Sequence, residues 1–370
     1  MLALRMPNSR LGKTLHGVER QSYGDLLLAL SVGLCLFLAG DRIYLYVLPI
    51  AVLTLADAAA ALAGSTYGTR FFNVEEGQKS VEGSAVFFVV TMLLSMICLM
   101  LMTSFEPENI IVLSFIVAGF GAFVEASSWR GFDNLFLPMG LLIFLAVHAE
   151  STLLELFVLI LLFAVSIWAF RAAAPKIGLS KHAANIYVTA VFLLLAVTAP
   201  QNALIPILVL VAHAWSRNSA PCRSAFPDLD IVAGLALVSF GWLALGKVTG
   251  WNAVSFYGLT AMGMMVGLCG LAVSRFLILW RLAVIVCVGF GACIVRAVAL
   301  GFNPDTSNWN GPMWIATIGS LMVVGGSVGG FPHLFLHGRV IKITVLSLVV
   351  PLGMYLLSID FLNLFAGHSS

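Results

Sequence analysis

Leu55–Ser84, LADAAAALAGSTYGTRFFNVEEGQKSVEGS, holds three kinds of chain in thirty residues. An apolar segment carries Asp57, a polar loop holds Lys79, Glu82 and Ser84, and a second apolar segment follows. A carboxylate inside a run of hydrocarbon length costs at least about a few kcal/mol, which makes Asp57 a functional candidate by default. The lysine beyond it suggests the chemistry: carboxylate, magnesium, phosphate and amine form one coherent set.

Working outward, the same alternation of apolar runs and short polar joins fills the chain. Of 370 residues 61% are hydrophobic and only 10% are charged, more apolar surface than a water-soluble domain can bury. Backbone that crosses lipid must satisfy its hydrogen bonds internally, and no period-2 alternation of the barrel type is present, so the runs are read as helices. The expected fold is an all-α polytopic integral membrane protein of about thirteen spans. They fall near 24–40, 43–64, 85–103, 110–126, 135–149, 153–170, 186–199, 203–215, 231–246, 255–273, 277–299, 313–330 and 343–359. Pro107, Pro175, Pro200, Pro221, Pro227 and Pro304 punctuate the joins. No cleavable leader is expected, because no small-residue cleavage site follows the first run.

Basic residues set the orientation. Starting inside, with Arg5, Arg10, Lys13 and Arg20, thirteen crossings place fifteen of the nineteen Lys and Arg in the cytoplasm, Arg70, Lys79 and Arg130 among them. The amino terminus and the loops 65–84 and 127–134 are thus expected on the cytoplasmic face of the cell's inner membrane, where nucleoside triphosphates are found. Asp57 then lies about two helical turns above the inner end of its span and Glu125 at the matching end of the fourth. A formal charge of +2, with no basic stripe interleaved with aromatics, sets nucleic acid aside. Cys35, Cys98, Cys269, Cys287 and Cys293 lie in apolar runs and Cys222 in a loop, without metal or disulfide spacing, so they read as small core residues.

Asp57 with AAAALAG and Tyr67-Gly68, then Lys79-Ser80-Val81-Glu82-Gly83-Ser84, then Glu125 and Asp133-Asn134-Leu135 with Pro138, form an ordered set. Together they resemble the polyprenol kinase family, which includes dolichol and phytol kinases, over roughly residues 20–145. The resemblance implies CTP-dependent phosphorylation of a long isoprenoid alcohol, and distant kinship with cytidylyltransferases that act on lipid phosphates. On the residues themselves, Asp57 with Asp133 or Glu125 suffices for Mg2+, which takes one or two carboxylates and keeps several waters. Lys79 would pair with phosphate, while Ser80, Gly83, Ser84 and Asn134 complete the nucleotide contacts. Glu82 or Asp133 would accept the hydroxyl proton. The alcohol's tail stays in the bilayer, so its hydroxyl arrives at headgroup depth.

Simpler readings stand beside these. Asp57 as a packing pair, Lys79 as a positive-inside anchor, and Glu125, Asp133 and Asn134 as a solvated helix end and cap all fit the sequence. Glu75 and Glu76 read as a solvated loop face. Gly325, Gly326, Gly329 and Gly330 lack a following GK[ST] and read as close helix packing, His148 and His213 as hydrogen-bonded structural histidines. Residues 1–150 are expected to form the kinase-like membrane domain and 151–370 an additional multi-span helical domain. Family members carry helices ahead of the region matching Arg20 to Gly40, so the second half is expected either to stand in for these or to bind a partner or lipid. Outside the kinase reading, the sequence admits a cytidylyltransferase, a transporter, or a non-catalytic scaffold that keeps a decayed kinase fold.

Overall fold

The computed structural model describes residues 24–358 except 75–76, 128–129, 221, 251–252 and 308–309. Arg5, Arg10, Lys13 and Arg20, on which the inside start rests, lie outside the described residues, as do Glu75, Glu76 and Pro221. The described residues divide into two compact units. One takes the chain through Ala173 together with Ser180–Thr189, and the other takes Ala174–Leu179 and the chain from Ala190 on.

The described residues form an all-α protein apart from one short ribbon, and each of the thirteen expected runs corresponds to one helix. In chain order these are α1 (Gly24–Ala39), α2 (Tyr44–Tyr67), α3 (Val81–Met102), α4 (Pro107–Ala126), α5 (Asp133–His148), α6 (Leu153–Ala173) and α7 (Lys181–Val197). They continue as α8 (Pro200–Ser219), α9 (Pro227–Thr249), α10 (Ala253–Ala272), α11 (Ile278–Gly301), α12 (Trp314–Gly330) and α13 (Arg339–Ser358). Among the described residues eight helices have the length and apolar composition to cross a membrane on their own; α1, α5, α7 and α12 are apolar but shorter. Proline opens α4, α8 and α9 at the first helical position, where its missing N–H has no intrahelical acceptor to lose. Gly250 closes α9 in the left-handed conformation that a residue without Cβ adopts at no steric cost.

The loop expected over 65–84 is more ordered than its composition suggests. Helix α2 continues to Tyr67, and β1 (Phe71–Val74) pairs antiparallel with β2 (Gly77–Ser80) in a two-stranded ribbon. A backbone leaving a helix still needs partners for its N–H and C=O groups, and the ribbon supplies them.

In the first unit α5 is the central helix: Leu135 and Leu137–Leu145 are buried, and the helix packs against α1, α2 and α4. Helices α2, α3 and α4 pack side by side, and α5 opens at Asp133 a few residues after α4 closes beyond Glu125. In the second unit α10 holds the corresponding place. Its hydrophobic stretch is 94% buried, against 6% for α6, because it is apolar on every face and surrounded by α8, α9, α11, α12 and α13. The glycine motif of α12 is a packing surface at Gly325 and Gly329, whereas Gly326 and Gly330, expected to pack likewise, face open space because they lie on the side of the helix turned away from α11. A Cβ at Gly325 would lie 2.7 Å from Ile285 and one at Gly329 2.8 Å from Leu282, so α12 and α11 touch only because those positions are bare.

Candidate functional site

Asp57 owes its orientation to an irregular turn. Residues Val52–Ala56 of α2 form a π-helical turn between the α-helical segments Tyr44–Ala51 and Asp57–Tyr67. Pro49 has no N–H to donate in the preceding turn, and the Thr54 hydroxyl donates to the carbonyl of Ile50 at 2.8 Å. A π-turn inserts an extra residue and rotates everything after it relative to an uninterrupted α-helix. Asp57 is the first residue beyond it. The side chain is half-buried, and its carboxylate makes no hydrogen bond among the described residues. It lies within the electrostatic field of Asp133, Glu125 and Lys79.

Lys79 reaches this place from the ribbon, where it stands opposite Phe72. Its Nζ lies 2.5 Å from Glu125 Oε1 and also donates to the backbone carbonyl of Glu125. That carbonyl belongs to the last turn of α4, where helix C=O groups lack intrahelical donors and a cation is favoured. The two side chains are 22% and 11% exposed, so the pair is largely removed from water.

Three devices fix the ribbon to the helices. The Glu82 carboxylate accepts from the Thr69 hydroxyl at 2.5 Å and from the Arg70 N–H at 3.2 Å, and the Val81 N–H donates to the Arg70 carbonyl at 2.9 Å. Ser80 caps α3, its hydroxyl accepting from the Gly83 N–H at 3.0 Å. Helices α2 and α3 cross almost in backbone contact: a Cβ at Gly83 would stand 2.9 Å from the Ala60 carbonyl, and one at Gly64 2.7 Å from Ser80 Oγ. Lys79 is therefore the next residue to a rigid crossing.

Asp133 is the first residue of α5, and its Oδ1 accepts from the Asn134 N–H at 3.1 Å. The Asn134 amide donates to the Gly24 carbonyl at 3.1 Å, tying the start of α5 to that of α1. The approach to α5 is a tight turn with positive φ at Arg130 and Gly131.

The structure thus brings together Asp57, Lys79, Glu125 and Asp133 from four elements, α2, β2, α4 and α5. Other candidates take different places: Glu82 clamps the ribbon, Ser80 and Gly83 close the end of α3, and Asn134 braces α1. Ser84 lies half-buried in the first turn of α3 without a hydrogen bond among the described residues. Thr69, the π-turn and the Lys79–Glu125 pair escape the sequence reading. Their signals are slight: a hydroxyl before Arg70, a proline upstream of Asp57, and opposite charges 46 positions apart.

No three His, Cys, Asp or Glu side chains among the described residues converge into a self-sufficient metal cage. A hard divalent ion completed by phosphate oxygens and water needs no such cage; one or two carboxylates suffice. Asp57, without a hydrogen-bond donor of its own among the described residues, fits that donor set.

No family model matches the chain, and no solved structure matches it. Among curated proteins it is similar to phytol kinase of Synechocystis sp., 30% identical over 143 residues, which make up 38% of this chain and 59% of that protein. The chain therefore spans about three-fifths of the length of the relative it matches. The likeness that the motif residues bear to the polyprenol kinases is thus borne out, over one segment of the chain, by a phytol kinase.

Proposed function

We propose that the protein is a membrane-embedded kinase that transfers the γ-phosphoryl group of CTP to an isoprenoid alcohol. The similarity to phytol kinase carries this reading, and the gathering of Asp57, Lys79, Glu125 and Asp133 makes it chemically workable. Phosphoryl transfer asks a protein for positioning and for charge neutralisation more than for covalent chemistry.

Asp57 with Asp133 or Glu125 would hold Mg2+, which supplies positive charge to the phosphate oxygens when bound. Lys79, on its braced ribbon, pairs with the phosphates as a point charge. Ser84 adds a hydroxyl donor at the start of α3, where the helix dipole favours an anion. Asp133 accepts the proton of the lipid hydroxyl; the new O–P bond forms at the γ-phosphorus, the bond to the β-phosphate oxygen breaks, and CDP leaves. Glu82 suits the proton-accepting role less well, since Thr69 and Arg70 already occupy its carboxylate. With the site at the inner face of the cell membrane, the hydroxyl is presented at headgroup depth while its tail stays among lipids.

The test is label transfer by the full chain in detergent, with magnesium and a panel of prenols. γ-Labelled CTP should place label in the lipid phase, and Asp57→Asn and Lys79→Ala should abolish it. Label entering lipid only from α-labelled CTP would replace the kinase with a cytidylyltransferase.

A further inference from the structure

We infer that Lys79 is the resting counter-ion of the acidic site, so that nucleotide and divalent metal enter it together and metal alone is held off. The inference rests on the kinase reading for the identity of the nucleotide, and on geometry for the rest. Asp57 feels the charges of two other carboxylates, Asp133 and Glu125, and of the Lys79 amine, which lies against Glu125. Like charges gathered in a partly desolvated place repel unless a cation lies among them. The Lys79 ammonium meets that need by holding both the side chain and the backbone carbonyl of Glu125.

That contact cannot persist unchanged during phosphate binding. An ammonium has three donors on one compact charge, and each one turned towards Glu125 is lost to a phosphate oxygen. When the phosphates draw Lys79 away, Glu125 is left as a largely buried carboxylate without its partner, an arrangement of high cost. With a divalent ion held by Glu125 and Asp57, its positive charge would remove that cost. Metal arriving before nucleotide must instead compete with the ammonium for the same acids. The ribbon makes the exchange possible without refolding, because its base is pinned at Thr69, Arg70 and Ser80 while Lys79 has a long flexible stem.

The experiment is Mn2+ binding to the full chain in detergent, without nucleotide, followed by the loss of the free-ion electron paramagnetic resonance signal. Wild type and Lys79→Arg should bind weakly. Lys79→Met should bind at least about tenfold more tightly, because a competing cation is gone, and adding Asp57→Asn to it should remove the gain. A Lys79→Met protein that melts with the wild type yet binds Mn2+ no better, or worse, overturns the inference. Should Lys79→Met fail to fold, CTP added to wild type serves instead: tighter Mn2+ binding than to protein and CTP separately supports the coupling, and simple additivity refutes it. The readout needs no lipid and no transfer, so absence of kinase activity with every prenol would sink the proposed reaction while leaving the Mn2+ result to stand or fall alone.

Discussion

Arg339 of the second unit is only 1% exposed, and both its terminal nitrogens are occupied. One donates to Ser216 Oγ at 3.1 Å, the other to the carbonyl of Ala220 where α8 ends. Nearby, Asp228 lies between His213 at 3.1 Å and Arg217 at 2.5 Å, and Arg217 also meets the carbonyls of Ile177 and Gly178. At these positions charge ties helix ends to one another. The first unit differs: among the described residues Asp57 has no hydrogen bond, and the charges that act on it are those of Asp133, Glu125 and Lys79. Burying charge is costly without partners. In the proposed reaction Asp57 and its acidic neighbours are kept for a cationic ligand, whereas Arg339, Arg217 and Asp228 act as fasteners.

The sharpest way to break this contrast is to exchange effects between the units. Asp57→Asn should lower label transfer at least about a hundredfold while the melting temperature in detergent stays near that of wild type. Arg339→Ala should do the reverse, destabilising by about 3 kcal/mol because Ser216 and the α8 terminus lose a buried donor, with transfer per folded molecule retained. Equal loss of stability in both variants would erase the distinction.

Smaller effects sharpen it. Glu82→Gln should raise the KM for CTP about tenfold through a loosened ribbon, and Thr69→Val should act in the same direction. Their double mutant should fall short of the combined effects, since both remove one clamp; full additivity would return Glu82 to an independent role. Gly83→Ala, which forces a methyl to within 2.9 Å of the Ala60 carbonyl, should cost about 1–3 kcal/mol in thermal unfolding. In the second unit, Gly325→Ala should cost a similar amount, whereas Gly326→Ala, facing open space, should stay within about 0.5 kcal/mol.

Much of this architecture can be read from residues alone, for identifiable reasons. Length and hydropathy locate the thirteen helices, since a span is a property of composition, and Pro107, Pro200 and Pro227 mark three starts because a residue without N–H belongs there. His213 reads correctly as a hydrogen-bonded structural histidine, and Gly325 and Gly329 as packing positions. The details of the site are less visible. The π-turn before Asp57 is a matter of hydrogen-bond register, which hydropathy does not encode. Glu82 looks like a proton acceptor beside Lys79 because sequence gives proximity without direction; only the fold turns it towards Thr69. Ser80 and Gly83 look like phosphate donors because capping and anion binding call on the same groups.

The central claim is that one end of the first unit holds the nucleotide between the ribbon and the start of α5. A photoreactive CTP analogue, cross-linked to the full chain and mapped by mass spectrometry, addresses it most directly. The account predicts adducts within 69–84 and 127–134 that excess CTP suppresses and Lys79→Ala diminishes. Suppressible adducts confined to the chain beyond Ala190 would contradict it.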